Sequence, residues 1–286
     1  MTSTGCVLGA RLDDGRGVVS KAHPRAQPAA PMDAVQAVQA HLCTRGFPAP
    51  EPLVGPASLG RGLATVESLL EGGELADGRD ARVRAAIAAS LHSFFTVTRD
   101  FVDDPALARR VIPAADPRAV FPAPHSPIFD FAATSPGARW IDDLALAAAR
   151  VVDAGPAEPR VVAHADWRVE HLRFAGERLV AVFDWDSLRV DREAAAVGQV
   201  AQVFTTDWSA AEPHVPMLNE ASAFLDDYQA ARGKPFTDEE TTQARAAWVY
   251  ATAYGARCEH ALAPTGIPAP RTYRERLALH GAEWLR

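Results

Sequence analysis

The sequence predicts an α+β fold in two parts, a small β-rich N-terminal lobe and a larger, mainly helical C-terminal lobe. Three observations carry this. β-Branched apolar runs lie before residue 70, amphipathic helical repeats fill most of the remainder, and a glycine-bearing bend at 71–73 separates the two. The expected division is 1–72 and 73–286.

Each element follows from local chemistry. Residues 5–22 read as two strands, CVLGARL and GVVSKAH, around a DDG turn at 13–15. The Pro-rich HPRAQPAAP is a loop. MDAVQAVQAHLCTRG spaces Val35, Val38 and Leu42 as a helix does and stops at Gly46. FPAPEPLVGP (47–56) reads as a proline-stiffened connector, and a strand over 63–69 runs into the bend. RDARVRAAIAASLHSFFTVTRDF predicts a long amphipathic helix through Val83, Ile87, Leu91 and Phe95. Residues 104–136 are proline-broken and irregular, and 138–155 form another helix. RVVAHAD (160–166) and RLVAVFDWD (178–186) predict two short strands joined by a hairpin-like return. Helices are expected over 191–204, 218–232, 237–262 and about 271–285.

Composition narrows the function. A chain of 286 residues, 48% apolar and 23% charged, is that of an ordinary globular protein. A net charge of -7 argues against a sequence-blind nucleic-acid binder, which needs clustered Lys and Arg, and suits a neutral or cationic partner. The three cysteines are scattered and form no CxxC pair, so neither a disulfide framework nor a zinc site is expected, and a reducing cytoplasm is the expected setting. No leader and no apolar run of about eighteen residues is present, so no membrane partner is expected. Of 29 basic residues only Lys21 and Lys234 are lysine, and Lys21 stands near the end of a strand, where a lysine invites a chemical role.

The chemistry concentrates in VVAHADWRVEHLRFAGERLVAVFDWD (161–186). Asp166 and Asp184 each end an apolar strand, eighteen residues apart. Two carboxylates facing one pocket suit a division of labour, one taking a proton from a hydroxyl and the other holding a hard cation through oxygen. His164 shares the strand face of Asp166. The spacing H-x-D-x4-H also allows a metal-dependent hydrolase with His164, Asp166, His171 and Asp184 as ligands.

His164-Ala165-Asp166, then His171, then Phe183-Asp184-Trp185 resemble the HGDxxxxN and IDW signatures of the aminoglycoside phosphotransferase and protein-kinase-like family. VVSK (18–21), the PxP after the first helix, TVESLLEGGELADG and SLHSF around His92 resemble that family's motifs in the same order, over roughly residues 5–200. The resemblance implies a bilobal protein-kinase-like fold and a cytoplasmic, ATP-dependent (or GTP-dependent) small-molecule O-phosphotransferase. The implied acceptor is a hydroxyl compound of the aminoglycoside, amino-sugar or choline kind, including cationic ones. By the same resemblance Asp166 orients or deprotonates the acceptor hydroxyl. Asp184 and His171 hold Mg2+ (Mn2+ as the alternative), Lys21 contacts phosphates, and Glu67 and Leu69 belong to the stretch that holds adenine. Phosphoryl transfer relies on such positioning and electrostatics.

The sequence departs from the pattern in four places. His171 stands where the family has Asn, no Glu is evident as partner for Lys21, and VDREAAAVG (190–198) replaces the motif that follows IDW. Only STG and LGA offer glycines for a phosphate loop. These departures support a second reading, a weak or inactive kinase-like protein that binds a nucleotide or a partner. Asp226, Asp227, Glu239, Glu240, Glu259 and His260 on the last helices read as a charged solvated face. By the resemblance they fall in the acceptor region, where acids suit a polyamine sugar.

Overall fold

The computed structural model describes residues 5–23, 29–108, 110, 112–266 and 268–286. Strands β1 (Cys6–Arg11) and β2 (Gly17–His23) form an antiparallel hairpin closed by the Leu12 amide on the Arg16 carbonyl at 2.9 Å, with Gly15 left-handed at φ 86°. Gly9 lies inside β1 opposite Val19, so LGA is strand and not loop; Ser3 and Thr4 of STG lie outside the described residues. Helix α1 (Ala29–Thr44) buries Val35, Val38 and Leu42 as its spacing predicts.

The expected connector at 47–56 is half strand. Strand β3 (Pro52–Leu59) pairs with β4 (Gly62–Ser68), and the sheet order is β1-β2-β4-β3. Two prolines survive there because β3 is an edge strand, where a missing N–H costs no ladder bond. Its register slips around Val54, where Gly55 has φ 105° and passes so close to β4 that a Cβ would meet the Ala64 carbonyl oxygen at 2.5 Å.

The C-terminal part is mainly helical. Asp80 caps α2 (Ala81–Val97) by accepting from the Arg82 amide at 2.8 Å. Residues 104–136 contain no helix or strand among those described, and α3 (Arg139–Ala154) follows.

The expected hairpin between 160–166 and 178–186 does not form. Strand β5 (Arg160–His164) pairs instead with β8 (Leu188–Arg192), while the linker supplies β6 (Leu172–Ala175), which turns at left-handed Gly176 and pairs with β7 (Arg178–Val182). The chain after the 71–73 bend is tied to β6, since Glu74 and Phe174 exchange both backbone bonds at 2.9 Å.

Helices α4 (Glu193–Ala201), α5 (Leu218–Arg232), α6 (Asp238–Leu262) and α7 (Tyr273–Trp284) complete the chain. Alanine-rich α6 packs on α3, α4 and α7. It meets α4 at Gly198, where a Cβ would come within 2.0 Å of the Ala244 carbonyl oxygen. That close packing places Gln199, whose side-chain amide donates to the Ala165 carbonyl at 2.7 Å and supports the loop carrying Asp166. No described helix is long and apolar enough to cross a membrane.

Candidate active site

The same dipeptide, Asp-Trp, occurs at both predicted carboxylates, and packing explains why. Trp167 and Trp185 are fully buried around Phe94, with ring centroids 5.4 and 5.6 Å from it. Each indole is fixed by a hydrogen bond, Trp167 to the Ile87 carbonyl (3.4 Å) and Trp185 to the Val182 carbonyl (2.8 Å). Each tryptophan pins the residue before it at the surface of the core. Asp166 and Asp184 therefore emerge side by side although their strands are not neighbours.

His164 is the strut between the two loops. Its Nδ1 accepts from the Asp166 amide and the Ser187 hydroxyl, both at 3.2 Å, so Nε2 carries the proton and donates to the Phe183 carbonyl at 3.1 Å. With both ring nitrogens engaged it has no lone pair for a metal. Among the described residues no group of three or more His, Cys, Asp or Glu could hold a metal ion by itself. The hydrolase reading therefore lacks its ligand set.

His164 is 1% exposed, and burial lowers its pKa to about 4 against the pull of Asp166. The sign follows from linkage. The unfolded chain takes up the proton near pH 6.5 and the folded chain only near 4. The stability contributed by the neutral ring is complete above 6.5 and is lost as pH falls through that window, by about 1.4 kcal/mol per pH unit at its steepest. Urea unfolding at pH 7 and pH 5 should show this loss, and His164→Gln should remove its share of the slope; an unchanged slope would refute the assignment.

Between the carboxylates stands His171. Its Nδ1 donates to the Asp166 carbonyl at 2.9 Å, and its Nε2 accepts from Arg168 at 3.3 Å and lies 3.7 Å from Asp184 Oδ2. The predicted ligand position is thus beside Asp184, but its lone pair is taken by Arg168. The same guanidinium bonds Asp166 Oδ1 and Glu170 Oε2, the latter at 2.9 Å. Burial pushes the Asp166 carboxyl up, but the Arg168 charge, with His171 and His164, outweighs it and holds the group below the usual carboxylate range.

Asp184 is left-handed at φ 67°, ψ 49°, a conformation that Asp tolerates better than most residues and that marks functional sites. Two residues on, burial and the Asp184 charge push the Asp186 carboxyl up to about 7. A half-exposed carboxylate with a second one two residues away is an all-oxygen donor set of the kind that suits a hard divalent cation. Asp184 and Asp186 are the residues that fit such an ion. His171 fits it poorly, since imidazole is a weak ligand for Mg2+ and its lone pair is engaged.

The β-sheet presents its face to this corner. Lys21, His23, Thr65 and Glu67 share one side of β2 and β4. Lys21 Nζ is 2.8 Å from Glu67 Oε1, and Gln39 of α1 donates to Glu67 Oε2 at 3.0 Å. The acidic partner missing from the sequence is thus Glu67 itself, supplied by the neighbouring strand. Its carboxylate serves Lys21 rather than an adenine edge. Nearby, His23 lies 4.0 Å from Asp186 and bonds Thr65 at 3.1 Å, joining the sheet to the Asp184 loop. Leu69, the other residue of the predicted adenine stretch, already donates its amide to the Gly17 carbonyl at 3.0 Å.

The profile of the phosphotransferase enzyme family (APH) matches residues 10–248. The chain belongs to that family. No curated protein matches the sequence. Among solved structures, amicoumacin kinase hAmiN in complex with AMP-PNP, Ca2+ and Ami superposes with a TM-score of 0.70 at 11% identity, covering 100% of this chain and 86% of that one. An ethanolamine kinase of Plasmodium vivax gives 0.60 at 10%, covering 98% and 80%. Spectinomycin phosphotransferase in complex with ADP and spectinomycin gives 0.54 at 11%, covering 99% and 85%. At these identities the likeness establishes the fold, the α+β architecture of APH and choline-kinase-like proteins.

In the linear sequence Arg168, His23 and Trp167 by themselves carry no mark of the site, Asp186 reads as a charged loop residue, and Trp185 stands out only within the IDW-like motif. The repeated Asp-Trp was the available signal, because two buried indoles at matching offsets mark two anchored loops. The acids of the last helices are engaged by separate partners or lie exposed. Asp227 pairs with Arg84 at 2.7 Å, Glu240 with Arg232 at 3.1 Å, and Glu259 caps the Tyr273 and Arg274 amides at 2.9 Å. Asp226 and Glu239 are exposed, and His260 bonds the Pro136 carbonyl at 3.0 Å.

Proposed function

We propose that the protein is an ATP-dependent small-molecule O-phosphotransferase. In this reading residues 1–72 are the nucleotide-binding lobe and 73–286 the catalytic and acceptor-binding lobe. The observation that carries it is the meeting of Asp166, His171 and Asp184 at one corner beneath Lys21.

Asp166 accepts the proton of the acceptor hydroxyl as its oxygen bonds to the γ-phosphorus. The bond to the β–γ bridging oxygen breaks, and ADP leaves with the electron pair. Asp166 stays ionised throughout the physiological range because of Arg168, so its main service is orientation, with the proton moving late. Asp184 and Asp186 would hold a divalent cation, Mg2+ or Mn2+, which supplies charge neutralisation on the phosphates. Lys21, steadied by Glu67, binds phosphate oxygens.

Thermal unfolding with and without ATP and Mg2+ tests the nucleotide half of this reading; no shift at millimolar nucleotide refutes it. Lys21→Met should lower kcat/KM for nucleotide about 10- to 100-fold, the worth of one charge-assisted contact. An unchanged value removes Lys21 from the site.

A second reading, a weak or inactive nucleotide-binding relative, is favoured by one observation, the Arg168 guanidinium sitting on the Asp166 carboxylate and on His171. Robust phosphate transfer to any alcohol acceptor excludes it.

A further inference from the structure

We infer that the protein takes a single divalent cation with its nucleotide, at Asp184 and Asp186, and that the Arg168 guanidinium permanently fills the place between Asp166 and His171 where a second cation would sit. This rests on the phosphotransferase reading and goes beyond it by fixing the number of ions and the residue that sets it.

Protein kinases bring two Mg2+ ions to the phosphates, held by an aspartate and by an asparagine of the catalytic loop. In this protein only one pair of carboxylates at the corner lacks a cation of its own. Asp166 and Glu170 both bind the Arg168 guanidinium, Glu170 through Nε at 2.9 Å. Among the described residues, Asp184 and Asp186 have only histidines within ion-pair distance, His171 at 3.7 Å and His23 at 4.0 Å. Oxygen ligands without a permanent counter-ion are what a hard dication needs, and they occur on the Asp184 side alone.

The His171 side is closed by its tautomer. A backbone carbonyl only accepts, so the 2.9 Å bond to the Asp166 carbonyl fixes the proton of the neutral ring on Nδ1 and leaves the lone pair on Nε2. That lone pair is the one an ion would use, and Arg168 Nη2 donates to it at 3.3 Å. A dication placed there would also press against a fixed positive charge in a corner of low dielectric.

Nor is the guanidinium free to leave. Asp166, His171 and Glu170 engage it together, and Glu170 is itself held by the Trp208 amide at 3.4 Å, from the segment after α4. The Arg168 side chain is 11% exposed. Withdrawing it would strand two carboxylates at once, which is costly where the pair is largely buried. The planar fork of donors carries the charge of an ion without the ability to dissociate.

Equilibrium dialysis of the full chain against AMP-PNP and Mn2+ tests this, by measuring the excess of each in the protein chamber. The expected result is one Mn2+ per bound AMP-PNP in the parent protein, still one in His171→Asn at millimolar free Mn2+, and two in His171→Asn combined with Arg168→Met. Two ions in the parent protein or in His171→Asn alone overturn the inference, because Arg168 is in place in both. One ion in a folded double variant overturns the role of Arg168. If the double variant does not melt cooperatively, the first two proteins decide the matter without it. Nucleotide bound with no ion at all overturns the inference as well. Absence of both nucleotide-dependent Mn2+ and a nucleotide thermal shift removes the phosphotransferase reading too, whereas two ions remove this inference alone.

Discussion

Asp166→Asn should reduce phosphate transfer by about 10^2- to 10^4-fold while leaving the affinity for nucleotide within a few-fold of the parent protein. The amide keeps the size and much of the hydrogen bonding of the carboxylate but cannot take a proton, and it draws a hydroxyl less strongly. The loop that carries it is held by bonds the substitution does not touch. His171 reaches the residue 166 carbonyl, Gln199 the Ala165 carbonyl and His164 the residue 166 amide. Geometry should therefore survive, and the loss should fall on kcat. Arg168 keeps Glu170 as its partner in the variant. Single-turnover transfer with a working acceptor, paired with nucleotide titration, separates the two quantities. Turnover equal to that of the parent protein would remove Asp166 from the reaction.

The second large effect concerns stability. Trp167→Ala should cost about 3–5 kcal/mol, the range for deleting a large buried aromatic. The indole is 0% exposed and packs against Phe94, Phe47 and His164 with ring centroids 5.4, 6.5 and 5.6 Å away, so little can collapse into the space. At roughly 2–4 °C per kcal/mol for a chain of this size, the melting temperature should fall by about 6–20 °C. Trp167→Phe, which refills most of the volume, should recover over half of that. Because the residue also anchors Asp166, the Ala variant should lose activity even well below its melting temperature. A variant that melts late and turns over normally would show that the anchor is dispensable.

These two residues illustrate what a linear sequence discloses and what it withholds. Strands β1, β2 and β4, helix α1 and the later helices are written in local periodicity, and they appear where that periodicity puts them within a few residues. Strand β3 was hidden because Pro52, Gly55 and Pro56 argue against a strand unless it is known to be an edge. The pairing of β5 with β8, across an intervening hairpin, is decided by the packed core and leaves no mark at short range.

At the site, Asp166 and Asp184 were legible because each closes an apolar run. No acid near Lys21 in the sequence marks itself as its partner, because the register that sets Val19 opposite Glu67 brings the carboxylate from the next strand. Arg168 and Asp186 read as ordinary charged loop residues; only their contacts, with Asp166 and with His23, reveal their place.

The origin of that glutamate has a mechanical consequence. Lysine and carboxylate ride on adjacent strands of one hydrogen-bonded sheet, so they are brought together when the sheet folds and travel as a single rigid piece. Tilting helix α1 can withdraw Gln39, a neutral prop, but cannot pull the two charges apart. A ligand or partner that pushes on that helix would therefore adjust the orientation of the ammonium group without ever stripping it of its counter-ion.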